Sequence, residues 1–135
     1  MKLYKFAQWK CEKMHNGITK ICTMNDIETF GFYFEALCER DLRIYAESLD
    51  AKLYHYRENT SGLEEDAIVE IADGEYGAIE IKLGSNQEEE AAKNLKKFYD
   101  AVEVKPKFMC IICGLYDAVV KRPDGIYVLP ITALK

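Results

Sequence analysis

Residues 63–82 read LEEDAIVEIADGEYGAIEIK, and the pairing of this stretch with itself decides the fold. On one side of Ala72–Asp73–Gly74, Ala67, Val69 and Ile71 alternate with Asp66, Ile68 and Glu70. On the other, Gly77, Ile79 and Ile81 alternate with Ala78, Glu80 and Lys82. A period of two across a Gly-containing turn is the pattern of a β-hairpin. A two-residue Asp73–Gly74 loop would pair Ala67 with Glu80 and Val69 with Ala78, splitting the apolar residues between faces. A three-residue Ala72–Asp73–Gly74 loop, with Gly74 left-handed in a G1 bulge, pairs Ile71 with Glu75 instead. That register continues through Val69 with Gly77 and Ala67 with Ile79 to Asp66 with Glu80. It gathers the apolar residues on one face and the acids on the other. A slip of two residues keeps those faces, and a slip of one destroys them.

Side chains directly opposed across such a pair lie about 4.5–5.5 Å apart at Cβ, so Asp66 and Glu80 repel one another. Charges in half-buried strands are costly unless compensated. Two compensations fit the residues. Carboxylate oxygens suit a hard divalent cation such as Mg2+ or Mn2+, and Lys82, on the face of Glu80, could orient water or stabilise negative charge. Alternatively, the acids form a solvated hairpin face that Lys82 neutralises.

Outward from the hairpin, Phe30, Phe34, Leu37, Cys38, Leu42, Tyr45 and Leu49 recur at three- and four-residue steps, predicting one broad-striped helix from Ile27 to about Leu49. Asn25 or Asp26 could cap it. Glu35 and Asp41 both flank that stripe and could reach the sheet, while either would serve equally as a rim carboxylate. Residues 51–57 (AKLYHYR) read as a strand, and ENTSG turns the chain into the hairpin strands at 63–71 and 76–83. A second helix is expected over 86–99, with Ser85 and Glu88 at capping-box spacing. Residues 107–114 form an apolar strand, RPDG at 122–125 a turn, 126–129 a last strand, and PITALK a short helical turn. The result is a mixed α/β domain whose sheet is protected by helices.

A chain of 135 residues, 49% hydrophobic and 30% charged, suits one compact domain with a real core. Its net charge of −5 disfavours a nonspecific nucleic-acid coat, although a local basic patch can still act. Lys93, Lys96, Lys97, Lys105 and Lys107 could supply such a patch, or simply a soluble helix face with favourable dipole placement. Five scattered cysteines indicate a reducing, cytoplasmic setting rather than a disulfide framework. The spacing of Cys110 and Cys113 sends them to opposite faces of a strand, as small hydrophobes and not zinc ligands. No apolar run approaches the roughly 18 residues of a membrane span, and the start does not read as a signal peptide. Residues 1–26 have no clean period; Phe6 and Trp9 suggest a segment packed on the core. His15, His55, the serines and the cysteines form no nucleophile–base arrangement.

Two stretches carry a family likeness: ETFGFYFEALCERDLRIYAESLDAKLYHYR, and SGLEEDAIVEIADGEYGAIEIKLG, with DGIYVLPITALK at the end. Over about residues 27–135 the chain resembles the DUF4143 domain, usually found C-terminal to an AAA+-type ATPase region. That domain is similar to the PD-(D/E)XK nuclease-like superfamily. The resemblance implies a restriction-endonuclease-like α-β-β-β-α-β core with a central mixed sheet flanked by helices. It places the acidic strand position on Asp66, the (D/E)XK element on Glu80, Ile81 and Lys82, and the first-helix glutamate on Glu35. The implied activity is phosphodiester hydrolysis of nucleic acid, with Glu35, Asp66 and Glu80 holding Mg2+ or Mn2+ and Lys82 assisting. A noncatalytic nucleic-acid or protein-interaction module of an ATPase-associated system is the alternative, and a structural or oligomerisation domain a third. The sequence has no GxxxxGK[ST] phosphate loop, so an ATPase would have to be a partner or a region outside this chain. Oligomeric state is left open.

Overall fold

The computed structural model describes residues 27–134; the expectation for residues 1–26 lies outside them. Helix α1 (Ile27–Ser48) leads into three strands, β1 (Lys52–Arg57), β2 (Glu64–Glu70) and β3 (Tyr76–Lys82). Helix α2 (Glu88–Ala101) crosses to β4 (Phe108–Cys113), followed by β5 (Val120–Lys121) and β6 (Tyr127–Leu129). The six strands form one sheet in the order β1-β2-β3-β4-β6-β5. The pairs β1–β2, β2–β3 and β5–β6 are antiparallel, whereas β3–β4 and β4–β6 are parallel. The fold is therefore α/β, a mixed sheet with a helix on each face.

Those two helices divide the core. Cys38 and Leu42 of α1 pack with Ala67, Ile79, Ile81, Cys110 and Ile112 on one face. Ala91, Ala92, Leu95 and Phe98 of α2 pack with Ala78, Ile111, Cys113, Ile126 and Val128 on the other. Cys110 and Cys113 accordingly lie on opposite faces, and burial pushes the Cys110 thiol up to about 12. The apolar stripe of α1 that reaches the core is narrower than its sequence suggests. Phe30 and Leu49 stay exposed at 44% and 75%. The helix ends where Asp50 turns left-handed (φ 54), so that Ala51 N–H reaches Ala46 O (2.8 Å) and Asp50 N–H reaches Glu47 O (3.3 Å).

The hairpin takes the register of the three-residue loop. Ile71 N–H donates to Glu75 O (2.8 Å), Val69 pairs with Gly77, and Ala67 with Ile79. In the turn, Gly74 is left-handed as expected (φ 76), and Asp73 is left-handed as well (φ 66). The expected capping box of Ser85 and Glu88 does not form. Ser85–Gln87 make one 3-10 turn, Gly84 N–H bonds Gln87 Oε1 (3.3 Å), and Glu88 is drawn away to Tyr116 and Arg122. The two-residue strand β5 had no readable period.

Candidate functional site

One irregularity in the sheet shapes the acidic centre. Tyr54 pairs with Ile68, but Tyr56 pairs with Glu65, so His55 faces both Asp66 and Ala67. This β-bulge in β2 changes the side-chain alternation on its N-terminal side. Glu65 opposes Tyr56, whose ring packs edge-on against Phe98 of α2, and so belongs to the α2 face. Glu80 shares that face with Ala78, and Asn94 of α2 favours its ionised form. The regular pairing of Asp66 with Glu80 is thereby interrupted; it is Glu65 that lies against Glu80.

Asp66 sits at the joint. Its Oδ2 accepts a 2.7 Å hydrogen bond from Ile81 N–H, between Glu80 and Lys82. Burial pushes its carboxyl up to about 7, with the negative charges of Glu80 and Glu35 adding to the effect and Ile81 N–H and Lys82 opposing it. Glu65 is fully buried and pushed up to about 9, by burial first, then by Glu80 and Asp66. Glu80, only 2% exposed, is also raised by burial, against the pull of Lys82. Lys82 Nζ stands 3.1 Å from Glu80 Oε2 in an ion pair. Burial alone would lower the Lys82 ammonium, but Glu80 and Asp66 outweigh it and raise it. Neither oxygen of Glu65 has a hydrogen-bond donor, and Glu80 Oε2 has the Lys82 ammonium as its partner. A proton on Glu65 or Glu80 would turn their contact into a hydrogen bond.

Asp66, Glu80 and Lys82 therefore come together, and Asp66 also senses Glu35. Glu35 itself is carried by α1, which packs on the face opposite Glu80. Among the described residues, no group of three His, Cys, Asp or Glu side chains is placed to hold a metal ion. The Mg2+ or Mn2+ set of Glu35, Asp66 and Glu80 is thus not assembled around one point. Nor is Glu80 on a solvated face, since α2 covers it. Asp41 is engaged by Arg40 (2.8 Å), its neighbour in sequence.

The lysines are largely committed elsewhere. Lys96 pairs with Asp124 (2.7 Å) and Lys107 with Glu75 (2.7 Å). Lys105 Nζ caps α2 through Tyr99 O (2.6 Å) and Val102 O (2.8 Å). Lys93 and Lys97 remain exposed. A second cluster ties the end of the sheet to α2: Arg122 holds Glu88, Glu89 and Asp124, and Tyr116 Oη donates to Glu88 (2.8 Å).

The family whose pattern matches is described as a domain of unknown function, DUF4143, and the match spans residues 30–134. The chain belongs to the DUF4143 family. No curated protein and no solved structure matches it. No helix among the described residues of this DUF4143 domain is long and apolar enough to cross a membrane.

Proposed function

We propose that this DUF4143 domain is a noncatalytic protein-interaction module of nuclease-like ancestry, working with an AAA+-type ATPase. The observation that carries this reading is a second apolar stripe on α1. Phe30, Tyr33, Leu37 and Ile44 recur at three-, four- and seven-residue steps, rotated away from the Cys38–Leu42–Ala46 stripe that enters the core. Phe30 and Ile44 are 44% and 56% exposed. Exposed apolar side chains aligned on one helix face suit the groove or helix of a protein partner. The acidic centre supports the same conclusion, because Glu65 and Glu80 are sealed beneath α2 and Asp66 is held by Ile81. So do the lysines, three of whose five are occupied by internal partners.

The test is a titration of the full chain against the AAA+-type ATPase region of a DUF4143-family protein, beside fluorescence anisotropy with DNA and RNA. Saturable binding of the ATPase region, lost in Ile44→Asp while the fold is kept, is expected. Binding to nucleic acid alone would overturn it.

One observation favours a second reading, divalent-metal-dependent nuclease activity. Asp66, Glu80 and Lys82 converge, and buried carboxylate oxygens there lack donors. In that reading Asp66 and Glu80 would hold Mg2+ or Mn2+, which would polarise a phosphate and lower the pKa of bound water. Lys82 would orient that water or stabilise developing negative charge.

A further inference from the structure

The exposed stripe of α1 has an occupant of matching chemistry within the same chain. Twenty-six residues precede Ile27 and join α1 directly. They carry Leu3, Phe6 and Trp9 interleaved with Lys2, Lys5 and Lys10, and their five lysines outnumber Glu12 and Asp26 by three. In α1 the balance is reversed, its five acids outnumbering Arg40 and Arg43 by three. Arg40 is moreover turned onto Asp41 (2.8 Å), while Glu28 and Glu47, both exposed, stand at the two ends of the stripe. Opposite charge steers the two segments together, and burial of exposed Phe30 and Ile44 holds them. Helix α2 matches less well: its acids outnumber its lysines by only one, and Tyr99 is its one large exposed apolar side chain. The reach is ample. From Ile27 to Ile44 the helix runs about 26 Å at 1.5 Å per residue. The 17 residues between Trp9 and Ile27 can span up to about 56 Å, so Phe6 and Trp9 can lie anywhere along the stripe.

We propose that residues 1–26 dock on α1 and cover the stripe of Phe30, Tyr33, Leu37 and Ile44, setting Phe6 and Trp9 against its apolar side chains and their lysines against its acids. The segment thereby withholds this face from the protein partner, a consequence that rests on the interaction reading above. Being tethered, it acts at an effective concentration in the millimolar range, against which a partner at micromolar concentration must compete.

Trp9 is the single tryptophan of the chain, so its fluorescence reports on this segment alone. In the full chain its emission should be blue-shifted and shielded from acrylamide. Ile44→Asp on the helix, and Lys5→Glu with Lys10→Glu on the segment, should each shift it to the wavelength and quenching of a water-exposed indole, with the far-ultraviolet circular dichroism of the fold kept. The lysine variant should also bind the ATPase region about tenfold more tightly than the wild type. A water-exposed Trp9 in the wild type, or an emission that either variant leaves unchanged, overturns the inference. So does an emission that shifts with protein concentration, which would place a second copy on the stripe. An ATPase region that binds neither form while Trp9 is shielded would sink the partner reading and leave the docked segment standing.

Discussion

Replacing Glu65 with glutamine should stabilise the fold at neutral pH in EDTA. Glu65 has no exposed surface, and its carboxyl is pushed up from an ordinary 4.5 to about 9 by burial and by the charges of Glu80 and Asp66. In the unfolded chain the group ionises at its ordinary value, so unfolding at intermediate pH releases a proton. Stability from this group is full below 4.5 and is lost as pH rises towards 9. Each pH unit above the lower limit costs about 1.4 kcal/mol, so holding Glu65 neutral at pH 7 costs about 3 kcal/mol. Glutamine has the same shape, carries no charge and offers an N–H to Glu80. Glu65→Gln should therefore be more stable by about 3 kcal/mol at pH 7, an advantage that shrinks with falling pH and vanishes near pH 4.5. Urea denaturation followed by circular dichroism at several pH values between these limits reads the difference. A variant less stable than the wild type at pH 7, or a difference that does not change with pH, would refute the reasoning.

Three further outcomes follow from the packing and the caps. Leu95 is fully buried between α2 and the sheet, so Leu95→Ala should cost about 2–5 kcal/mol in urea denaturation. Asp50 closes α1 in a left-handed conformation, so Asp50→Gly should raise stability by up to about 1 kcal/mol, visible as a higher melting temperature. Burial alone would raise Asp124, but Lys96, Arg122 and the Ile126 N–H outweigh it and hold its carboxyl down at about 2. Its contribution, about 1 kcal/mol once solvent screening is allowed for, should be full above pH 3.8 and lost as pH falls towards 2. Acid melts of the wild type against Asp124→Asn measure that window.

Period and turn chemistry made much of the fold legible. The alternation of Ala67, Val69, Ile79 and Ile81 selected one hairpin register because any odd slip would have put those side chains against the wrong layer. The helices were legible for the same reason, to within two residues at most ends. The bulge was not, because one extra residue opposite His55 leaves no mark on the alternation C-terminal to it. A conflict in the sequence did signal it. Strict alternation places Glu65 with Ala67 on an apolar face, and an acid there is costly enough to question the register N-terminal to Ala67. Glu80 and Lys82 on one face followed from the strands alone, whereas the expected pairing of Asp66 with Glu80 gives way at the bulge to Glu65 beside Glu80. The position of Glu35 did not follow from them, since a helical azimuth fixes which side of α1 a residue occupies and not which face of the sheet receives that helix. The burial of Glu65 and Glu80 beneath α2 was not legible, because the helix's own period does not say which face of the sheet it covers.

The central claim is that the acidic centre of this DUF4143 domain does not hydrolyse nucleic acid. The most direct measurement is cleavage of single-stranded, duplex and branched DNA and RNA in Mg2+ or Mn2+ by the full chain, beside Glu80→Ala and Lys82→Ala. The account predicts no cleavage by the wild type above the level of the two variants. Metal-dependent cleavage by the wild type that Glu80→Ala and Lys82→Ala abolish would contradict it.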